Sequence, residues 1–152
     1  MIRTEIRRLW EDAAGFGEQI ITICGWVRTL RHSGAIAFVE ISDGSCFKGL
    51  QVVAAEEELP NFSELIRQNV GAALIVKGRL ILTPQAKQPF ELRCLHMEVE
   101  GVSTPEYPLQ KKRHTLEFLR SMAHLRPRTN TLSAVFRVRS VAAFAIHAFF
   151  NE

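Results

Sequence analysis

The sequence predicts a mostly β protein: a five-stranded antiparallel barrel, preceded by a helix and followed by a helical extension. Three observations carry that expectation. Five runs rich in β-branched and aromatic residues lie between positions 20 and 99. One short segment with helical spacing, flanked by start and stop signals, falls between the third and fourth runs. Beyond Gly101 a proline-punctuated stretch leads into a long segment whose apolar residues recur at helical intervals.

In chain order, residues 4–14 read as a short helix with Leu9 and Trp10 on its apolar side, ended by Gly15 or Gly17. Residues 20–28 form the first strand. Residues 35–42 and 47–54 form the second and third, joined by the turn signal Asp43-Gly44-Ser45. Residues 61–70 place Phe62, Leu65, Ile66 and Val70 on one helical face, with Pro60 ahead and Gly71 behind. Residues 72–82 and 90–99 complete the five strands. A helix between the third and fourth of five strands is the layout of the OB-fold, a small Greek-key barrel that often binds oligonucleotides; an SH3-like barrel is the rival. Residues 1–101 are expected to form this domain and residues 102–130 a hinge, held extended at first by Pro105 and Pro108. A short helix over 115–124 stops before Pro127. Residues 131–152 carry the long helix, with an apolar stripe of Leu132, Val135, Val138, Val141, Ala142, Ala145, Ile146 and Phe149 that has to be buried against something.

Composition narrows the class of protein. The chain has 152 residues, 47% hydrophobic and 23% charged, ordinary values for a globular protein. No uninterrupted apolar run comes near the roughly 20 residues that span a bilayer, and the N-terminus lacks a secretory apolar core, so no membrane association and a cytoplasmic location are expected. Cys24, Cys46 and Cys94 are odd in number and without CxxC spacing, which argues against a disulfide framework or zinc knuckle; all three are expected as buried thiols. The five histidines are not at metal-ligand spacing, and no metal site is expected. Gly15-Phe16-Gly17 is no phosphate loop, since it lacks a preceding strand and a third glycine. Residues 1–104 hold 11 Lys/Arg against 13 Asp/Glu, while residues 105–152 hold 8 against 3. The basic second part suits a polyanionic partner or a solvated helix face equally well.

Alternation of side chains along a strand then selects a candidate site. In the second strand Ala37, Val39 and Ile41 form the core face, which turns Phe38 and Glu40 outward. In the first, Ile21, Ile23 and Val27 point in, so Trp26 and Arg28 point out. In the third, Gln51 faces out unless a bulge reverses it. In the fifth, Glu91 and Arg93 share a face. The outward set Arg28, Phe38, Gln51, Glu91 and Arg93 combines an aromatic ring with amide, carboxylate and guanidinium groups. Unpaired bases are recognised by such chemistry: a ring to stack on and polar groups to bond base edges. A barrel with one exposed ring packed under a loop would show the same pattern.

The run from Tyr107 through Lys111-Lys112-Arg113-His114 to Arg120, continued by Ala123-His-Leu-Arg-Pro-Arg-Thr-Asn130, resembles the hinge of bacterial-type asparaginyl-tRNA synthetases. Ala134-Val-Phe-Arg-Val-Arg139 and the segment from His147 are similar to the helix entering their catalytic domain. Gly25-Trp-Val-Arg28, Phe38, Asp43-Gly44 and Gln51-Val-Val53 resemble the OB-fold shared with the aspartyl and lysyl enzymes. The resemblance implies anticodon recognition within an asparagine–tRNA ligase. Phe38 would stack on the central uridine and Gln51 would hydrogen-bond it. Arg28 would hold a neighbouring base or phosphate, and Glu91 would read another base. Lys111 to Arg113 would approach the tRNA backbone, while Arg126 and Arg128 would pair within the domain junction. The family uses ATP and Mg and forms homodimers. Its three catalytic motifs are absent from this chain, so none of its residues is expected to be catalytic and the isolated chain is expected to be inactive. A stand-alone OB-fold binder of single-stranded nucleic acid, an aspartyl-type synthetase fragment and a protein-interaction domain are the alternatives.

Overall fold

Two short helices, not one, lead into the barrel. In the computed structural model, which describes residues 2–86 and 88–151, α1 spans Ile6–Glu11 and α2 spans Ala13–Phe16. The break falls at Asp12, whose carboxylate accepts from Gly15 N at 3.0 Å and so starts a new helix instead of continuing the old one. The strands follow as β1 (Ile20–Ser33), β2 (Ile36–Ser42), β3 (Leu50–Ala55), β4 (Ala73–Leu82) and β5 (Phe90–Gly101). They close into a barrel in the order β1-β2-β3-β5-β4. Four of the junctions are antiparallel. The fifth corrects the all-antiparallel expectation: β3 and β5 run parallel, paired at Val52↔Leu92 and Val53↔Arg93. A Greek-key chain that closes on itself through five strands has to bring one pair together in the same direction.

The predicted helix between β3 and β4 shrinks to α3, Phe62–Leu65. Residues 66–70 turn instead toward the end of β5: the Asn69 amide donates to Ser103 O at 2.9 Å, and Ser103 Oγ donates to Val70 O at 2.8 Å. The third strand starts at Leu50, three residues later than predicted. Glycine is required at position 49, because a Cβ there would sit 2.7 Å from Glu40 Cγ. The first strand runs five residues further than predicted, to a turn at Gly34, whose φ of +56° suits glycine.

One core fills the barrel. It takes Ile21, Ile23 and Val27 from β1; Ala37, Val39 and Ile41 from β2; Leu50, Val52 and Ala54 from β3; Leu74, Val76 and Leu80 from β4; and Phe90, Leu92, Cys94 and Met97 from β5. Ile6 and Leu9 of α1 and Phe62 and Leu65 of α3 join it. Fully burying one such aliphatic or aromatic side chain is worth roughly 1.5–3 kcal/mol. Turning β2 over would forfeit that for Val39 and Ile41 and would force the Glu40 carboxylate inside, so the facing of β2 is decided by burial. Of the cysteines only Cys94 is buried; Cys24 and Cys46 are half-buried, which corrects the expectation for both. Burial pushes the Cys94 thiol up to about 11, so it stays protonated at neutral pH.

The chain divides after Lys111 into two compact units. The second holds α4 (Leu116–Arg120), capped by Thr115 Oγ1 accepting from Phe118 N at 3.2 Å, a 3-10 turn (Arg126–Arg128) and α5 (Asn130–Asn151). No residue of α5 is buried, and Val138, Val141, Phe144, Phe149 and Phe150 are each at least 69% exposed. At 22 residues, α5 is long and apolar enough to cross a membrane by length and composition. Arg137 and Arg139 interrupt its apolar run, so the segment does not stand out as one uninterrupted stretch in the sequence.

The loop after β2 ties the N-terminus to the barrel. Asp43 Oδ2 accepts from Ile6 N at 2.8 Å and its Oδ1 from Ser45 N at 2.9 Å, while Ser45 Oγ accepts from Arg7 N at 2.9 Å. Residues 37 and 38 positions away thus cap α1, which has no side-chain cap of its own. Asp43→Ala is expected to lower stability by about 1 kcal/mol, read as a reduced urea midpoint at unchanged slope.

Candidate nucleic-acid interface

A groove of about 740 Å³ opens on the outer face where β1, β2 and β3 lie side by side. Arg28, Thr29, Arg31, Phe38, Glu40, Gln51, Gln88, Glu91 and Lys111 are among its lining residues. Four of the five residues singled out from the sequence therefore meet there: Arg28, Phe38, Gln51 and Glu91. Gln51 faces outward, as regular alternation requires, and its Nε2 donates to Glu91 Oε2 at 3.2 Å. Glu40 lies across from Gln51 in the β2–β3 register, and its carboxylate accepts from Thr29 Oγ1 at 3.4 Å.

The fifth residue behaves differently. Arg93 points outward, but it lies outside the groove and engages Glu58 through two bonds, Nε to Oε2 at 2.8 Å and Nη2 to Oε1 at 2.5 Å. Glu58 belongs to the acidic run read from the sequence as a solvated loop. The guanidinium beside it holds its carboxyl below the ordinary 4.5.

Arg31 lies beyond the predicted end of the first strand at residue 28, and alternation carried that far would still have misplaced it. Strict alternation from the inward-facing Val27 would turn Arg31 toward the core. A bulge between Val27 and Thr29 shifts the register, so that Thr29 pairs with Glu40, Leu30 with Val39 and Arg31 with Phe38. Leu30 then joins the core and Arg31 stands over the Phe38 ring, with its guanidinium carbon 5.2 Å from the centroid. That is within cation–π range. A signal was present in the sequence: the apolar positions run 27 and 30 instead of 27 and 29, a step that regular pleating does not allow. Gln88 also escaped notice, since it lies on no strand, while Lys111, expected near the tRNA backbone from the resemblance alone, lines the groove as well.

The groove thus offers a flat ring, a planar cation above it, two primary amides, two carboxylates and two further cations. Ring and guanidinium are both stacking surfaces for a base. The Gln51 amide and the carboxylates bond base edges, and the cations suit phosphate.

Fold and groove together define an oligonucleotide-binding barrel. Residues 21–100 match the sequence profile of the tRNA anti-codon family, described as an OB-fold nucleic acid binding domain, and the chain belongs to that family. Over all 152 of its residues it is 55% identical to the asparagine–tRNA ligase of Acetivibrio thermocellus, and over 147 residues 57% identical to that of Alkaliphilus oremlandii. The chain spans about a third of the length of the curated relatives it matches. Its fold is that of asparaginyl-tRNA synthetase from Pyrococcus horikoshii, solved with asparaginyl-adenylate, with a TM-score of 0.84 at 21% identity over 98% of this chain and 34% of that one. The resemblance to asparaginyl-tRNA synthetases drawn from the sequence is borne out.

The Arg93–Glu58 pair has a pH signature. A carboxyl whose folded pKa is depressed adds stability that is complete above the unfolded value and is lost as pH falls through the folded one. Glu58→Gln is therefore expected to cost stability above about pH 4.5 and to approach wild type in more acidic solution. Thermal midpoints followed across that range check this, and a deficit that stays constant with pH would contradict it.

Proposed function

We propose that this chain recognises the anticodon loop of tRNA as part of an asparagine–tRNA ligase. The observation that carries the reading is Phe38, an aromatic ring on the outer face of β2, set beside Gln51 and Glu91 and beneath Arg31. The relatives matched over the whole chain bear that enzyme's name, which supports the choice of RNA. A splayed-out base stacks on Phe38, with the central uridine of the asparagine anticodon as the proposed occupant. Gln51 bonds its edge, and Glu91 reads a second base. Arg28 and Lys111 meet phosphates, and Arg31 covers the stack. Arg93 is left out of the contact set because Glu58 occupies its guanidinium.

In the longer protein, residues 102–130 serve as a hinge and residues 131–152 open the catalytic domain. Two thirds of the relatives' length lies outside this chain, and packing of that remainder against α5 accounts for its apolar surface. Aminoacylation with ATP and Mg, assembly as a homodimer and a cytoplasmic location belong to that longer protein.

Phe38→Ala is expected to weaken binding of an RNA hairpin carrying the GUU anticodon by about 1–3 kcal/mol, measured by fluorescence titration at fixed salt. Unchanged affinity would remove the stacking role. Competition between hairpins of different anticodon separates this reading from indiscriminate single-strand binding, which would show no preference. Asparagine-dependent pyrophosphate exchange is expected to be undetectable with the 152-residue chain and present only with the longer protein.

A further inference from the structure

Main-chain pairing at the parallel junction is short. Among the described residues it covers Val52↔Leu92 and Val53↔Arg93 and does not extend to Gln51, the groove residue one position earlier. A side chain continues it. Gln88, in the connection between β4 and β5, accepts from Gln51 N through Oε1 at 3.2 Å and donates from Nε2 to Gly49 O at 3.0 Å. These are the two main-chain groups that flank Leu50. A neighbouring parallel strand bonds such a pair, the N–H of one residue and the carbonyl two positions before it. The amide's orientation follows from its partners, since a main-chain N–H only donates and a carbonyl only accepts.

Gln88 is itself held. Its carbonyl accepts from Thr83 Oγ1 at 2.8 Å, and the next carbonyl, of Pro89, accepts from Thr83 N at 2.7 Å. On the β2 side Gln51 lies opposite Glu40 in register, with its own main-chain N–H turned away from β2 toward Gln88. The Gln51 main chain is thus held by Gln88, and its side chain reaches Glu91 at 3.2 Å.

The geometry points to Gln88 as a positioning residue for base recognition: its carboxamide stands in for a strand residue and holds Gln51 against Glu91, so that the donors and acceptors offered to a base keep a fixed spacing. This rests on the anticodon-loop reading. Gln88 sets which base is accepted more than how tightly RNA is held. Phosphate and stacking contacts come from Arg28, Lys111, Arg31 and Phe38, none of which bonds to it in the hydrogen bonds described.

The test compares the 152-residue chain with its Gln88→Ala variant in two measurements. The first is amide exchange at Gln51 by NMR without RNA, with the β1 and β4 amides as a folding control. The second is the ratio of affinities for a GUU hairpin and for one whose central base is replaced by adenine. Gln88→Ala is expected to expose the Gln51 amide to exchange, to leave the β1 and β4 amides protected, and to lower the affinity ratio about fivefold, the scale of one net hydrogen bond. If the control amides are disturbed, Gln88→Met, of similar length and without the amide, replaces it. An unchanged ratio, or a Gln51 amide still protected, overturns the inference while leaving anticodon binding intact. A wild-type chain that shows no preference between the hairpins overturns the anticodon reading and this inference with it.

Discussion

Burial along one side of β2 governs the rest of the molecule. Ala37, Val39 and Ile41 sit within 1% of complete burial, and the strand's period of two leaves Phe38 and Glu40 no choice but the outer face. Because β2 is hydrogen-bonded to β1 on one edge and β3 on the other, its facing is passed to both neighbours. Glu40 fixes where Gln51 stands, and Phe38 fixes where Arg31 stands. A half-buried ring facing a groove is therefore a by-product of a well-filled core, and the site needs no strained backbone to hold it.

Where regular pleating persists, side-chain facing could be read from the sequence. Phe38, Gln51 and Glu91 were found by counting in twos, and their strands are regular over those residues. Arg31 was hidden because the strand was expected to end at residue 28, and because a bulge adds one residue and reverses the count beyond it. Arg93 was assigned its face correctly but not its company. Its partner Glu58 lies 35 residues away, in a loop whose position follows from barrel closure. Gln88 was out of reach for a related reason. Nothing local marks a glutamine whose partners, Gly49 and Gln51, lie 39 and 37 residues away. The parallel β3–β5 junction, a long-range feature that composition and alternation leave undetermined, is where both omissions meet.

Helices were legible to the extent that they stand alone. The long apolar stripe identified α5 nearly to its ends. The segment over 61–70 has helical periodicity and proper flanking signals, but only four residues remain helical, because Asn69 and Val70 are claimed by Ser103. Tertiary bonds at the end of a short helix outweigh its propensity, since each added helical residue gains little once nucleated.

The mixture of charge in the groove has a further implication for recognition. Arg28, Arg31 and Lys111 face Glu40 and Glu91 within one small surface, and residues 1–104 are slightly acidic as a whole. A surface that worked by phosphate attraction alone would carry one sign and lose affinity steeply with salt. Carboxylates beside the stacking ring repel phosphate and are useful against donors such as the N–H groups of base edges. In the proposed reading the barrel therefore contributes discrimination more than affinity. The sequence-independent attraction then falls to the basic residues after Gly101, which carry nearly half of the chain's positive charges. Arg28 apart, salt dependence and base preference would accordingly reside largely in different stretches of the chain.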